Sequence, residues 1–379
     1  MRAASIRSLP TLLLTLLVAG LAVGCGDDDG RDPDGGIDAG PLPDGAMPDG
    51  FVPGDGSMPD GGMTETDLFP PPTITTCPGD ALEPPAEGTC TTSGSGEATL
   101  ITGDILTPGE VLRGGQVLVD GDGMIACVGC DCSGMATDPT EVVCPDAVVS
   151  PGLINGHDHI RFAGAQPFPA DGFLTEERYE HRHDWRRGRD DHTEVPNGTS
   201  SSLGDAALWL ELRQMMSGTT SIFGSSGRDG LLRNLDGSEN LREQLPASEA
   251  EYSTFPLDDV DGTKLSEGCD YGDGRDTASL VTALDGAYGP HVAEGIDAAA
   301  RNEFLCMREG MEDLIQPKSA FIHGIGLLPP DIGEMALEQV ELIWSPRTNI
   351  ALYGDTARVT EYARLGVTIG LGTDWIRSG

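Results

Sequence analysis

From about residue 146 the chain repeats one pattern: a short apolar segment, a polar end, then a stretch with helical spacing. "AVVSPGLIN", "TTSIFG", "GLLRNL", "YSTFPL", "GAYGPHVAEG", "SAFIHGIGL", "VELIWSP" and "GVTIGLGTD" give about eight such strands, and helix-like segments precede the last three. Leu208, Leu210, Leu212 and Met215 carry the helical spacing of the segment that closes at Gly218. Eight strand–helix units in about 230 residues predict an α/β fold, a (β/α)₈ TIM barrel over 149–379. Ahead of it, "ATLITGDIL", "GQVLVDG" and "MIACVG" are β-rich, with "DGDG" as a hairpin turn between the last two. They predict a small β-sandwich half-domain over 76–148.

In such a barrel the chemistry gathers at the C-terminal ends of the strands, and that rule sorts the histidines. His157 and His159 follow the first strand, His291 ends "AYGPHV", His323 ends "SAFIH", and Asp374 ends the last strand. Alternate residues of an extended segment share a side, so His157 and His159 can grip one ion, and His291 and Asp374 can complete the set. Imidazoles with a carboxylate suit one divalent metal, zinc first and iron(II) as the alternative. Such an ion supplies an activated water at neutral pH. Glu294, three residues after His291, is placed to shuttle a proton to a leaving nitrogen. A second pair, His181 and His183, lies with His192 in the charged stretch "EERYEHRHDWRRGRDDH" and has no strand before it. It is expected in a polar loop or at the substrate side, not on the metal.

The set "VVSPGLINGHDH", "HVAEG", "FIHGIGL", "WSPRTNIALYG" and "GLGTDW" resembles the metal-dependent amidohydrolase superfamily, in its cytosine-deaminase-like and chlorohydrolase-like branch. The resemblance covers about residues 98–379. It implies one metal on His157, His159, His291 and Asp374, with Glu294 moving protons. It further implies that His323 bonds the attacking water or substrate, that Asp374 doubles as base, and that Asn349 and Trp375 meet the substrate. The implied activity is hydrolysis of a non-peptide carbon–nitrogen bond in a small, cyclic or heterocyclic molecule. Removal of another leaving group at the same site is the nearest alternative, and a surface protein that keeps the fold without turnover is the alternative of another class. Trp344-Ser345-Pro346 stands where many deaminases have a histidine before the proline, so ring deamination is not implied. A two-metal variant needs a carboxylated lysine on a middle strand, and neither Lys264 nor Lys318 is so placed. The family continues beyond its last barrel strand, so the sequence is expected to be cut short after Asp374.

The first 75 residues have another character. After Arg2 and Arg7, "LPTLLLTLLVAGLAVGC" is a secretory leader, too short for a comfortable membrane span. Its Ala22-Val23-Gly24-Cys25 ending resembles a bacterial lipobox, which marks Cys25 for lipidation and 1–25 as the leader. Residues 26–67 hold twelve acids and one arginine, so 26–75 reads as a disordered acidic tether. The whole chain carries a formal charge of −39. That excludes nucleic-acid binding, which needs basic patches, and leaves a small-molecule substrate, membrane attachment through the lipid only, and self-association open. Eight further cysteines fit disulfides in an exported protein, with Cys77–Cys90 as one local pair, a cluster of Cys127, Cys130, Cys132 and Cys144, and Cys269 and Cys306 left over.

If the leader reading is right, Cys25→Ala releases the protein from membranes into the soluble fraction. Unchanged fractionation of that variant would refute the lipid anchor.

Overall fold

The computed structural model describes residues 71–79, 82–165, 177–196, 204–224, 227–244, 248–308 and 312–377. Cys25, the leader and nearly all of the tether lie outside the described residues. No helix among the described residues is long and apolar enough to cross a membrane.

Strands β1 (Thr73–Thr76), β2 (Thr91–Ser93), β3 (Thr99–Thr107), β4 (Glu110–Val119), β5 (Ile125–Gly129) and β6 (Thr140–Val149) form one sheet, in the order β1-β4-β3-β6-β2 with β5 beside β4. The β4–β5 turn forms as "DGDG" predicts. The Asp120 carboxylate accepts the backbone N–H groups of Asp122 and Met124 at 3.0 and 2.9 Å, and Gly123 takes φ +80°. Three expectations change. Among the described residues this is one six-stranded sheet, not two facing ones. Thr73–Thr75, assigned to the tether, joins Thr76 in a strand that pairs in parallel with Glu110–Arg113. Ala147–Val149 belongs to β6, so the first strand of the next layer is only Leu153–Asn155.

That next layer is built from eight short strands: β7 (Leu153–Asn155), β8 (Thr219–Ile222), β9 (Arg233–Asn234), β10 (Glu251–Ser253), β11 (Tyr288–Val292), β12 (Ala320–His323), β13 (Glu341–Trp344) and β14 (Ile369–Leu371). They pair in parallel and in chain order, β7 to β9 in one sheet and β10 to β14 in another. Ala250 donates its N–H to the Leu235 carbonyl at 3.0 Å between the two sheets. Gly156 donates to the Leu371 carbonyl at 2.8 Å, joining the last strand to the first. Helices α1 (Arg182–Arg187) and α2 (Gly204–Met216) precede β8, and α3 (Ala278–Ala283) precedes β11. Helices α4 (Ala298–Cys306), α5 (Pro329–Leu337), α6 (Pro346–Tyr353) and α7 (Val359–Arg364) separate the later strands.

All five residues of β11 are buried, as befits a parallel strand covered on both faces. Val292, Phe304, Phe321, Ile332, Leu342 and Tyr362 centre the largest apolar cluster around it. On α2 the buried face is Ala207, Leu210 and Glu211, whereas Leu208, Leu212 and Met215 face outward. The apolar spacing found the helix but mixed two of its faces, because a buried carboxylate occupies part of the inner one. Glu211 there accepts the backbone N–H groups of Arg228 and Leu232 at 2.7 and 3.3 Å.

The cysteines pair as Cys77–Cys130, Cys90–Cys144, Cys127–Cys132 and Cys269–Cys306. The Cys77–Cys90 pair is therefore wrong. Cys77 follows β1, which lies on β4, and β5, farther along the same edge of β4, leads to Cys130. Cys90 precedes β2, which lies against β6 and its Cys144. Neighbouring strands, not neighbouring positions in sequence, decide the partners. The sheet's own apolar cluster is small, centred on Leu100, Leu118 and Cys132. By loop entropy the bridges with sequence separations of 53 and 54 stabilise it by about 4 kcal/mol each. Peptide mapping without reductant is expected to recover Cys77–Cys130 and Cys90–Cys144. Recovery of Cys77–Cys90 would contradict the strand order.

Candidate metal centre

Residues leaving the ends of β7, β11, β12 and β14 converge on one point. His157 and His159 follow β7 with one residue between them, so both rings turn to the same side. The N–H groups of Thr373 and Asp374 both donate to the His157 carbonyl, at 2.9 and 2.8 Å, so the chain after β14 is tied to the chain after β7. Asp374 Oδ1 thereby lies 3.0 Å from His157 Nε2 and 3.4 Å from His159 Nε2. His291 Nε2 lies 3.4 Å from His159 Nε2. A tetrahedral ion bonded at about 2.0–2.2 Å needs donors on the order of 3.3–3.6 Å apart; the two 3.4 Å spacings match a divalent metal, and the 3.0 Å one is slightly closer.

The electrostatics fit as well. Burial holds the imidazolium forms of His157 and His291 far below their ordinary pKa and pushes that of His159 to about 3, so the rings are neutral and offer lone pairs. His291 Nδ1 donates to the Ser253 carbonyl at 3.1 Å, which leaves its Nε2 bare. The Tyr252 hydroxyl lies 3.0 Å from His157 Nδ1 and braces that ring from behind. Such outer partners fix ring orientation and tautomer. Asp374 and His323 both take left-handed backbone, φ +74° and +78°. Strain of this kind persists only where surroundings over-determine it, and it collects at functional sites.

His323 and Glu294 stand beside the four donors. His323 Nδ1 donates to Asn349 Oδ1 at 3.0 Å, so its buried Nε2 carries a lone pair and has no hydrogen-bond partner. Glu294 accepts from the Tyr353 hydroxyl at 2.7 Å, and Trp185 Nε1 in turn donates to that hydroxyl at 2.8 Å. Its other oxygen lies 3.6 Å from His323 Nε2. Trp375, expected at the substrate, lines the cavity. Asn349, expected at the substrate, does not. It is fully buried behind His323 and positions that ring.

The second histidine pair is not in a polar loop. His181 and His183 are buried at the start of α1. His181 Nδ1 accepts the His183 N–H at 3.1 Å, and Nε2 faces Glu303 at 3.3 Å. His183 Nε2 lies 2.8 Å from Asp259, and Arg186 Nη1 donates to His183 Nδ1 at 2.7 Å. His181, His183 and Glu303 lie close enough together to hold an ion. However, both nitrogens of each ring are engaged, and the Arg182 guanidinium pairs with both Asp259 and Glu303. Burial alone would raise Asp259, yet Arg182 and His183 hold it below the usual carboxylate range. One guanidinium thus already stands between the two buried carboxylates. The cluster also braces Glu294: Arg182 donates its N–H to the Glu294 carbonyl at 3.0 Å, and Glu303 accepts the Ala293 N–H at 2.9 Å.

Tyr252, Tyr353 and the Arg182 cluster were missed in the sequence. One signal was present: Asp184, three residues after His181, reaches back to the His181 N–H at 2.8 Å, a helix-start pattern inside what read as a charged loop.

A cavity of about 400 Å³ opens over the centre, with His159, His291, Glu294, Asp374, Tyr252 and Trp375 in its wall. No family model and no curated protein matches the sequence. Solved structures do match in fold. A triazine hydrolase from Arthobacter aurescens has TM-score 0.52 and 17% identity over 74% of this chain and 72% of that one. An atrazine chlorohydrolase from Arthrobacter aurescens, complexed with zinc, has TM-score 0.50 and 17% identity over 73% and 72%. The chain thus shares its α/β fold with known hydrolases.

Proposed function

We propose that the chain is a hydrolase of the amidohydrolase superfamily, with β7 to β14 as a closed eight-stranded barrel, that cuts a non-peptide carbon–nitrogen bond in a small cyclic or heterocyclic molecule. The Gly156 to Leu371 hydrogen bond supports barrel closure. The observation that carries the function is the convergence of His157, His159, His291 and Asp374 from three separate strand ends, with donors 3.0 Å apart for His157–Asp374 and 3.4 Å for His159–Asp374 and His159–His291, and Glu294 and His323 beside them.

A divalent ion held by those four residues, zinc first, would polarise water and the bond under attack. The rest is the work of side chains. Glu294 sits in the cavity wall, aimed by Tyr353, and moves a proton from the attacking water to the leaving nitrogen. His323, locked by Asn349, presents Nε2 as an acceptor to the water or to a substrate N–H. Asp374, also in the cavity wall, accepts a proton from the water. Phe162, Trp185 and Trp375 form the apolar side of the cavity, where a flat ring packs and water is excluded. The same groups would serve a halide leaving group, which needs no proton from Glu294. Export with a lipid anchor at Cys25 completes the reading. Four disulfides support it, since such bonds persist in oxidising compartments.

Metal analysis of the full chain is expected to find one zinc or iron. His157→Ala should lose metal and activity together. Glu294→Gln should keep the metal and lose about 10²-fold or more in rate against the best amino-heterocycle or cyclic amide of a screen. His181→Ala should destabilise the fold yet leave the metal in the folded fraction. Two metals per chain, metal lost with His181, or parental turnover by Glu294→Gln would overturn the reading. Loss of a halide substrate's turnover in His157→Ala but not in Glu294→Gln would favour the halide reading.

A further inference from the structure

The chain has 62 acidic and 23 basic residues, yet the cavity over the metal centre is lined by four arginines: Arg161, Arg182, Arg186 and Arg187. Its carboxylates are Glu194, Glu294 and Asp374, and the last two belong to the centre itself. Arg182 is neutralised by Asp259 and Glu303. Arg161, Arg186 and Arg187 form no ion pair among the described residues, and Glu194 pairs with none of them. In so acidic a chain, three guanidinium groups around one cavity with no carboxylate paired to them call for a reason.

Arg186 is the most constrained of the three. Its Nη1 donates to His183 Nδ1 at 2.7 Å, and its guanidinium carbon lies 4.2 Å from the centre of the Phe255 ring. An arginine cannot accept, so His183 Nδ1 carries the lone pair and Nε2–H donates to Asp259. The buried Asp259–His183 pair thus aims Arg186. It is half-buried in the cavity wall, and its Nη2 has one partner among the described residues, the Val260 carbonyl at 3.5 Å. Burial lowers its pKa to about 10, which still leaves it charged at neutral pH. One run of chain measures its distance from the chemistry. Tyr252 contacts His157, Ser253 accepts from His291, Thr254 accepts from Arg182 at 2.8 Å, and Phe255 lies under Arg186. The three-residue step from Tyr252 to Phe255 spans at most about 10 Å, within reach of a small ring bearing one substituent.

Resting on the hydrolase reading, we propose that the substrate carries an anionic oxygen group, carboxylate or phosphate, which Arg186 binds with Arg161 and Arg187 flanking it. The bond to be cut then lies over the metal ligands. A fixed planar guanidinium matches the paired oxygens of either anion.

Equilibrium binding of benzoate, phenyl phosphate and neutral benzamide to the full chain, zinc-loaded and chelator-stripped, tests this. At least one anion should bind more tightly than benzamide in both forms, and the better one identifies the group. Arg186→Gln should weaken that anion by about tenfold or more and leave benzamide unchanged, while Arg186→Lys keeps part of the affinity. If Arg186→Gln does not fold, the exposed pair Arg161→Gln/Arg187→Gln should still weaken the anion about threefold. Anions no better than benzamide, affinity indifferent to these substitutions, or anion binding that vanishes with the zinc would each overturn the proposal. Arg186-dependent binding in a protein that takes up no metal would sustain it while the hydrolase reading fell.

Discussion

Residues 217 positions apart in sequence meet at 3.0 Å: His157 and Asp374. Everything in the centre depends on that meeting. It is made by backbone, not by the side chains themselves. Gly156 donates to Leu371, and Thr373 and Asp374 donate to His157. Asn155 reinforces the junction from the side, its amide donating to the Thr373 hydroxyl at 2.7 Å and its carbonyl accepting the Thr373 N–H at 3.1 Å. Once the last strand end is stitched to the first, the left-handed turn at Asp374 has one direction in which to point its carboxylate.

Burial then determines the chemistry. With the His159, His291 and His323 rings centred 5.0, 4.8 and 5.1 Å from that of His157, the imidazoles cannot share the cost of charge, and desolvation holds His157, His159 and His291 neutral. Neutral rings with bare nitrogens around a carboxylate are a cation's environment. The cluster behind α1 solves the opposite problem. There an arginine is buried against Asp259 and Glu303, and the pair of histidines serves to orient and brace. Two His-x-His pairs in one chain therefore differ through the charge already present. The first surrounds space for a cation, and the second surrounds a guanidinium.

Strand ends were the legible part of the site. Each of His157, His159, His291, His323 and Asp374 lies at or just past the end of a parallel strand, and short-range pattern finds such ends. Side chains that reach the centre from the flank carry no such pattern. Tyr252 is one residue in a three-residue strand, and its role exists only because β10 lies across from His157. Asn349 is polar and close in sequence to a strand end, which suggests a substrate contact, whereas helix α6 turns it inward to His323. Disulfide partners failed for the same reason, since they obey strand adjacency that sequence distance hides. The charged stretch around His181 misled because Arg182 and His183 find their partners, Asp259 and Glu303, far along the chain, and buried ion pairs look like a solvated loop when read one residue at a time.

The central claim is that one ion sits where β7, β11 and β14 end, and anomalous diffraction from crystals of the zinc-loaded full chain tests it most directly. The expected result is a single strong peak bonded at about 2.0–2.2 Å to His157 Nε2, His159 Nε2, His291 Nε2 and an Asp374 oxygen. A peak among His181, His183 and Glu303, or none near His157 at full zinc loading, would contradict it.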